Sequence, residues 1–372
     1  MTSTPATAPL AFADEREREA LAKIARARAV ATRAPRFHDA HITMAHGAGG
    51  KASAALVAGL IAPGLASPAL DALDDAGLLQ IGGLGLAMTT DSFVVRPLRF
   101  PGGSIGELAV NGTVNDLAMV GAKPLALTLS LVLEEGLDTE TLRGEVDAIA
   151  KAARAADVQI VAGDTKVVER GHADGMYVCT TGVGRRDARA RLSPASLRPG
   201  DRIIVSGSIG EHGMAIMLAR REFELDSEIA SDTQSLWPAA DALLSLEGDL
   251  RCMRDATRGG VATVLNELAT ASNVTVVVNE ERVPILAPVA GACELLGIDP
   301  MYVANEGKLV AVVAPSVADR AIELLTHVQG CERASVIGEV SADPTGMVLV
   351  NTAFGGRRVM DMLVGDPLPR IC

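Results

Sequence analysis

Apolar runs and amphipathic stretches alternate along this chain in two successive blocks. Short runs rich in Val, Leu and Ile predict strands, and apolar residues recurring about every three or four positions predict helices. In the first block this pattern predicts strands over 84–90, 125–133, 159–162 and 175–184 and helices over 104–120 and 139–156. In the second block it predicts strands over 201–206, 274–279 and 309–313 and helices over 211–221, 259–271 and 316–328. The alternation indicates an α/β protein.

The helix predicted over 104–120 has the clearest boundary signals. Ser104 and Glu107 have the spacing of a capping box, in which each side chain binds a free backbone N–H of the first turn. Gly121 suits the left-handed conformation that ends many helices, and Pro124 prevents the helix from continuing. We therefore expect a helix that stops just before the next strand.

A polar connection over 185–199, with several Arg and Pro residues, separates the two blocks. A chain of 372 residues is expected to form two domains. We predict an N-terminal arm over 1–40, a first domain over 41–190, a second domain over 191–350 and a mobile tail over 351–372. Gly355 and Gly356 are the predicted hinge of that tail.

The composition narrows the possible partners and the compartment. The net charge of −12 argues against nucleic acid or an anionic membrane surface as the main partner. No apolar segment is long and uninterrupted enough to span a bilayer, and the N-terminus lacks the apolar stretch of a signal peptide. The five cysteines show no C-x-x-C pairing, which favours a reducing, cytoplasmic location.

Three aspartates are candidates for metal binding. Asp91 and Asp164 follow predicted strands, whose ends deliver side chains to a common sheet edge, so we expect the two carboxylates to converge. Asp116 lies inside a predicted helix, where aspartate is not a favoured choice. Carboxylates of this kind suit Mg²⁺ held jointly with phosphate oxygens. The alternative for each residue is an ordinary turn or cap.

The segment His46-Gly-Ala-Gly-Gly-Lys51 is a glycine-rich loop whose backbone N–H groups could cover phosphates. A linker without a ligand is the alternative. Two common nucleotide motifs are absent from the sequence: no G-x-x-x-x-G-K-[ST] occurs, and no G-x-G-x-x-G follows a strand. These absences exclude a P-loop site and a classical Rossmann site.

The last residue, Cys372, places a thiol beside the terminal carboxylate. No residue follows it, so the sulfur could enter a pocket first. A thiolate is a strong nucleophile when a nearby base or positive charge activates it. A frayed chain end with an incidental thiol is the alternative.

The segment Asp116-Leu-Ala-Met-Val-Gly-Ala-Lys-Pro124 resembles the D-x4-G-A-x-P signature of the aminoimidazole ribonucleotide synthetase (PurM-like) superfamily. Further segments narrow the resemblance to the HypE family of hydrogenase maturation proteins, which are carbamoyl dehydratases; they cover 46–51, 163–166, 255–260, 305–307 and 369–372. The resemblance extends over about residues 41–372. It implies a two-domain PurM-like fold, with an N-terminal sheet domain that binds ATP and dimerises, an α/β C-terminal domain and a flexible tail.

The resemblance also implies a reaction and partners. A HypF-like carbamoyltransferase would place a carbamoyl group on Cys372 as a thiocarbamate. ATP and Mg²⁺ would then support its dehydration to a thiocyanate. The cyano group would pass to iron on a HypC–HypD complex and become the cyanide ligand of a [NiFe] hydrogenase centre. The protein itself would act as a homodimer.

The resemblance assigns roles to individual residues. Cys372, Glu306 and Lys166 would be catalytic, with either Glu306 or Lys166 accepting the proton. Mg²⁺ would be held by Asp91, Asp116 and Asp164. ATP would be bound by Gly47, Gly49, Gly50, Lys51, Asn111, Asp116 and Thr165. We also predict that the tail turns inward with ATP and outward without it.

Two other functions remain open at this stage. One is a different enzyme of the superfamily, such as a thiamine-phosphate kinase or a selenophosphate synthetase. The terminal cysteine argues against both, and the N-terminal reactive residue expected of a selenophosphate synthetase is missing. The other is a scaffold that binds nucleotide without turnover and presents its tail to partners.

Overall fold

The computed structural model describes residues 19–24, 37–65, 67, 69–70, 74–220, 228–342, 346–363, 365 and 371–372. The first domain contains strands β1 (Gly77–Ile81), β2 (Leu84–Phe93), β3 (Arg99–Phe100), β4 (Gly103–Ser104), β5 (Ala122–Glu134), β6 (Gln159–Val168) and β7 (Met176–Arg186) and helices α1 (Lys51–Leu56), α2 (Ile105–Met119) and α3 (Thr139–Ala155). The second contains strands β8 (Arg202–Val205), β9 (Leu250–Asp255), β10 (Thr275–Asn279), β11 (Leu309–Val313), β12 (Ser335–Ser341), β13 (Met347–Asn351) and β14 (Arg357–Met360) and helices α4 (Glu211–Ala219), α5 (Trp237–Leu244), α6 (Gly260–Ala271), α7 (Ala287–Leu296) and α8 (Ala318–Thr326). The expected α/β class is confirmed.

The first sheet has five strands in the order β1-β2-β7-β5-β6, antiparallel except for the β5–β6 pair. Helix α2 packs on one face, where the hydroxyl of Thr180 donates to the carbonyl of Ala109. Side chains of β7 that point toward α2 are buried. Those that point away are only partly buried, and they are Tyr177, Cys179, Thr181 and Val183. We call this second surface the open face of the first sheet.

The second sheet has seven strands in the order β14-β13-β10-β12-β8-β11-β9, antiparallel except for the β10–β13 pair. All five residues of β11 are buried. Val310 and Val312 join the apolar cluster that includes α6, whereas Ala311 and Val313 join the cluster that includes α5 and α8. Helices therefore cover both faces of this sheet.

Helix α2 begins and ends as the sequence predicts, but another residue caps its first turn. Gly121 has a φ of +70°, and a Cβ there would lie 2.6 Å from the Ala190 Cβ, so glycine is required. Ser104 is the N-cap residue, but its side chain makes no capping hydrogen bond, so the predicted capping box is wrong. Instead, Glu145 of α3 accepts a hydrogen bond from the backbone N–H of Gly106 in the first turn (3.1 Å).

Replacing Glu145 by alanine should lower the free energy of unfolding by about 1–3 kcal/mol, the usual effect of leaving a buried polar group unpaired. Glu145 is fully buried and also contacts Nε of Arg99 at 2.8 Å. Denaturant unfolding would measure the change. Asp147→Ala, at an exposed position of the same helix, is the control and should change it by less than about 0.5 kcal/mol. Equal effects of the two variants would contradict the capping role.

Two strands extend further than the sequence pattern indicates. Strand β2 continues to Phe93, so Asp91 lies inside it rather than after it. Strand β6 continues to Val168, so Asp164 also lies inside a strand. Neither carboxylate is therefore delivered by a strand end.

The strand register places Asp91 and Asp164 on opposite faces of the first sheet. Asp91 pairs with Thr180, Thr180 with Leu129, and Leu129 with Gly163, and paired residues share a face. Asp91 thus faces α2, whereas Asp164, one residue after Gly163, faces the open side. The expected convergence of Asp91 and Asp164 is wrong within a single chain.

The segment expected to be a tail from residue 351 begins with a hairpin. Strands β13 and β14 pair antiparallel, and Gly355, with a φ of +79°, lies in the turn between them. Gly355 and Gly356 therefore close a hairpin rather than form a hinge. A mobile tail remains a prediction for the residues after Met360, of which 364 and 366–370 lie outside the described residues.

Most of the predicted arm, residues 1–40, also lies outside the described residues. Its residues 19–24 are helical, and Leu21 belongs to a small apolar cluster with Met347 and Leu349 of β13. In the described parts of the chain, no helix is long and apolar enough to cross a membrane.

Candidate active site

Three carboxylates converge where the two domains meet. Asp75 precedes β1, Asp116 lies on α2, and Asp255 ends β9 of the second sheet. One ligand atom of each lies within 4.8 Å of the others. We call these three residues the acidic cluster. Asp91 of β2 lies beside it and raises the pKa of Asp116 through its charge.

Hydroxyl and guanidinium groups hold the acidic cluster in place. Thr89 of β2 donates a hydrogen bond to Asp116 Oδ2 (2.6 Å), and the guanidinium of Arg254 pairs with Asp75. The second oxygen of Asp75 is buried and has no hydrogen-bond partner among the described residues. A buried carboxylate oxygen without a donor is rare in proteins, so this atom is suited to a cation.

Burial and mutual repulsion raise the pKa values of the acidic cluster. Burial raises the pKa of Asp116 well above its usual value, and the charges of Asp91, Asp255 and Asp75 raise it further. Burial, followed by the charge of Asp91, raises the pKa of Asp255 to about 6, against the opposing effect of Arg254. A divalent cation would favour the ionised form of every member. The donor set, all carboxylate oxygens, therefore fits Mg²⁺.

The acidic cluster opens into a small cleft, with a volume of about 50 Å³, between the two domains. The cleft is lined by Asp91, Ser92, Phe93, Gly112, Asp116, Asp255, Thr257, Arg258, Glu306 and Cys372. The terminal cysteine is thus turned inward and half-buried, and it forms no disulfide. The structure therefore brings Cys372, Glu306 and two of the three predicted metal-binding aspartates, Asp91 and Asp116, to one place.

Glu306 is buried in the wall of the cleft, with only 3% of its surface exposed. Burial raises its pKa well above the usual value, and the charges of Asp255 and Asp232 add to this effect, whereas Arg258 opposes it. Its backbone N–H donates to Asp232 Oδ1 (3.1 Å), which fixes this part of the loop. A positioned carboxylate with a raised pKa is suited to accept a proton near neutral pH.

The glycine-rich loop predicted to cover phosphates folds against the cleft wall. The carbonyl of Gly47 accepts a hydrogen bond from the guanidinium of Arg258 (3.1 Å). Gly49 has a φ of +74°, and a Cβ there would lie 2.7 Å from the Arg258 carbonyl oxygen. Lys51 starts α1, and its ammonium pairs with Asp361 at the surface (2.7 Å). The loop is therefore next to the cleft, but the Lys51 ammonium binds a carboxylate instead of pointing into it.

Two further predicted nucleotide-binding residues lie close to the cleft without lining it. Gly50 packs so closely on the backbone of Leu363 that no side chain would fit. Asn111 directly precedes Gly112 of the cleft, and its amide donates to Thr233 Oγ1 (3.2 Å). Both residues hold neighbouring segments together in this structure.

Three other predicted site residues lie elsewhere in the chain. Asp164, Thr165 and Lys166 are exposed on β6, the edge strand of the first sheet, separated from β2 by two strands. The ammonium of Lys166 pairs with Asp164 at 2.9 Å. Within one chain, Asp164 does not join the acidic cluster, and Lys166 does not line the cleft that contains Cys372.

Sequence reasoning assigned no role to three residues of this site. Asp255 ends a strand and precedes the glycine-rich Ala-Thr-Arg-Gly-Gly, a signal of the same kind as the one used for Asp91. Arg258 belongs to the same segment and could have been found with it. Asp75 lies in a polar segment before β1, and nothing local distinguishes it from an ordinary turn residue.

Both domains match known protein families. Residues 73–186 match the AIR synthase related protein, N-terminal domain, and residues 198–351 match the AIR synthase related protein, C-terminal domain. The expected two-domain PurM-like fold is confirmed. A thiamine monophosphate kinase from Aquifex aeolicus, 20% identical with a TM-score of 0.59, shares this fold alone.

Two proteins that are more similar to this chain are both named carbamoyl dehydratase HypE. The chain is 46% identical over 336 residues to carbamoyl dehydratase HypE of Rhizobium leguminosarum bv. viciae, covering 90% of this chain and 96% of that protein. It is 48% identical over 333 residues to carbamoyl dehydratase HypE of Cupriavidus necator, covering 89% and 95%.

Solved structures agree with the sequence matches. HypE from a HypE–HypF complex has a TM-score of 0.79 at 44% identity, covering 83% of this chain and 99% of that chain. HypE in complex with ATP has a TM-score of 0.75 at 43% identity, covering 89% and 100%. By sequence and by structure, this chain belongs to the HypE family of carbamoyl dehydratases, within the AIR synthase related proteins.

Proposed function

We propose that this protein is an ATP-dependent dehydratase that acts on a carbamoyl group carried by its own Cys372. The observation that carries the proposal is that the Cys372 thiol, the Glu306 carboxylate and the acidic cluster meet at one cleft. The names of the HypE relatives support the activity, and the HypE structure with ATP supports the nucleotide.

The proposed reaction converts a thiocarbamate, Cys372–S–C(=O)–NH₂, into a thiocyanate, Cys372–S–C≡N. ATP supplies a phosphoryl group that turns the carbamoyl oxygen into a leaving group. The C–O bond then breaks, the oxygen leaves with phosphate, and both N–H protons are lost as the C≡N bond forms. ADP and phosphate are released, and one of the two protons remains on the phosphate at neutral pH.

The residues of the cleft match these steps. Glu306 would accept a proton from the amide nitrogen, since it lines the same cleft as the thiol. Arg258 would neutralise charge on the phosphoryl oxygens. Asp75, Asp116 and Asp255, with Asp91 beside them, would hold Mg²⁺, which neutralises phosphate charge when bound. This set differs from the one predicted from the sequence, because it includes Asp75 and Asp255 and lacks Asp164 of the same chain.

We infer that a second copy of the chain packs on the open face of the first sheet. Met88 of β2 is 44% exposed there and lies opposite Val183 of β7. Apolar side chains on an uncovered face commonly mark a protein interface. Asp164 and Lys166 lie on the same face, so a second copy would bring another pair of them to the interface. The family resemblance implies a nucleotide site at the interface between two such copies.

Replacing Met88 by aspartate should therefore convert a dimer into a monomer, because the interface would have to bury a charge. Sedimentation or light scattering at several concentrations would measure the mass. Leu295→Asp is the control: Leu295 is 71% exposed on α7, outside this sheet, and the variant should keep the wild-type mass. A Met88→Asp protein that stays dimeric would show that the interface is elsewhere.

The family resemblance implies the partners. A HypF-like carbamoyltransferase would load Cys372, as the HypE–HypF complex supports. A HypC–HypD complex would receive the cyano group and deliver it as the cyanide ligand of the [NiFe] hydrogenase iron. We place these steps in the cytoplasm, where thiols stay reduced, and all five cysteines are free of disulfides.

Intact mass tests the proposal. The wild-type protein and Cys372→Ala would be incubated with the HypF-type carbamoyltransferase, carbamoyl phosphate and Mg²⁺. The mass of each protein would be measured before and after ATP is added. We expect the wild type alone to gain a carbamoyl group and then to lose one water when ATP is added. A wild-type protein that is not modified at Cys372, or is modified but never loses water, would overturn the proposal.

A further inference from the structure

His212 of α4 is a fully buried histidine whose hydrogen bonds reach the C-terminus of the chain. Its Nε2 lies 2.6 Å from the carbonyl oxygen of Ile371, the residue before Cys372. Its Nδ1 lies 2.8 Å from the hydroxyl of Ser231. His212 does not line the cleft, so the reaction proposed above does not account for these contacts.

The partners of His212 define which nitrogen carries its proton. A carbonyl oxygen can only accept, so Nε2 carries the hydrogen and donates to Ile371. In the neutral ring Nδ1 then accepts, and the Ser231 hydroxyl donates to it. The Ser231 oxygen in turn accepts the backbone N–H of Thr233 (3.2 Å). Burial lowers the pKa of His212, against the opposing effects of Asp232 and the Ile371 carbonyl, which favours this neutral form.

Ile371 is held by packing as well as by this hydrogen bond. Its side chain is 3% exposed and belongs to the apolar cluster that contains Phe93 and Phe100. Phe100 also meets the His212 ring edge to face, with centroids 5.6 Å apart. The backbone and the side chain of the penultimate residue are therefore both fixed, directly beside the thiol.

The segment that holds His212 also holds Glu306. Asp232, next to Ser231, accepts hydrogen bonds from the backbone N–H groups of Glu306 and Gly307 (3.1 and 3.2 Å). Ser231 thus binds His212, which contacts the residue before Cys372, and Asp232 binds the backbone of Glu306. These two residues, Ser231 and Asp232, therefore link His212 to the backbone of Glu306.

We propose that His212 is a positioning residue that holds Cys372 in the cleft by donating its Nε2–H to the Ile371 carbonyl, with Ser231 fixing the tautomer. The consequence for catalysis rests on the proposed function above. The positioning of Cys372 by His212 does not rest on the proposed function, because it concerns only where the thiol lies.

Two isosteric variants separate the hydrogen bond from packing. In His212→Gln the side-chain amide nitrogen occupies the place of Nε2 and can still donate to Ile371. In His212→Asn the side-chain amide reaches only as far as Nδ1, so the donor to Ile371 is lost. Both would be made in the full chain with Cys179→Ser, because Cys179 is the other cysteine that is not buried.

The rate at which N-ethylmaleimide labels Cys372, without nucleotide or partner, measures how often the thiol leaves the cleft. We expect about tenfold faster labelling in His212→Asn, the effect of losing one hydrogen bond, and less than about threefold in His212→Gln. Ser231→Ala, which removes the tautomer-fixing hydroxyl and with it the acceptor of the Thr233 N–H, should fall between them and is informative even if His212→Asn folds poorly. Wild-type rates in His212→Asn and Ser231→Ala, or equal acceleration in the Asn and Gln variants, would overturn the proposal.

The same variants distinguish this inference from the proposed function. If Cys372 carries the carbamoyl group, His212→Asn should also dehydrate it more slowly, and His212→Gln should restore the rate. If labelling follows the expected order but no carbamoyl group is ever found on Cys372, the positioning role stands and the proposed function fails.

Discussion

Replacing Glu306 by glutamine should slow the dehydration of the carbamoyl group by about 10²- to 10⁴-fold, the usual contribution of a positioned general base. Glutamine keeps the shape of the side chain but cannot accept a proton. Loading of Cys372 by the carbamoyltransferase should be unaffected, because that step does not need the Glu306 carboxylate. Intact mass after different times with ATP would therefore show a carbamoyl group that persists in the variant and disappears in the wild type.

The variant should remain folded. The folded-state pKa of Glu306 lies above the usual glutamate value, so ionisation of Glu306 costs stability as the pH rises past that value. Glutamine removes this cost, and the variant should be at least as stable as the wild type at pH 7.

Glu211→Gln is the matched control for Glu306→Gln. Glu211 is also buried, with a pKa that burial raises, but it does not line the cleft. The Glu211 variant should dehydrate the carbamoyl group at close to the wild-type rate. If Glu306→Gln also keeps the wild-type rate, the base is another group, and Lys166 from a second copy becomes the first candidate.

Local signals made helix α2 predictable from the sequence. Gly121 and Pro124 end it through their own backbone geometry, which needs no partner. The predicted capping box at its start is wrong, because the acceptor for the first turn comes from Glu145, far along the chain. A sequence shows that a helix end needs an acceptor, but only the packed structure shows which residue provides it.

Other elements were missed because their patterns are weak. Strand β9 carries Arg251 and Arg254 among only three apolar residues, and both arginines pair with carboxylates distant in the sequence. Helix α5 has one charged residue, so its sequence lacks a clear amphipathic period. The strands over 84–90 and 159–162 were cut short, because Asp91 and Asp164 look like strand ends although each lies inside a strand.

The composition of the acidic cluster could be predicted only in part. Asp116 was identified because a helix-interior aspartate is unusual. Asp255 joins it through the packing of β9 against α2, a contact between the two domains, and Arg254 of β9 pairs with Asp75. Spacing along the chain carries no information about such a contact.

Replacing Asp116 by asparagine should lower the ATP-dependent dehydration by at least about 100-fold, because Mg²⁺ contributes several kcal/mol to stabilising phosphoryl transfer. In the absence of metal, the same substitution should stabilise the fold. Burial and neighbouring carboxylates raise the folded-state pKa of Asp116, so its charge costs stability as the pH rises above the usual aspartate value of about 4. Without metal, the variant should unfold at a higher temperature than the wild type at pH 7 and at the same temperature near pH 4.

Thermal unfolding with and without Mg²⁺ tests both parts together. The wild type should gain stability when Mg²⁺ is added, because the cation binds only the folded acidic cluster, whereas Asp116→Asn should gain little. Asp147→Asn, on the exposed side of α3, removes the same charge from the surface and should respond to Mg²⁺ like the wild type. If Asp116→Asn is less stable than the wild type at pH 7 without metal, the repulsion inferred for the acidic cluster is wrong. If it responds fully to Mg²⁺, the metal binds elsewhere.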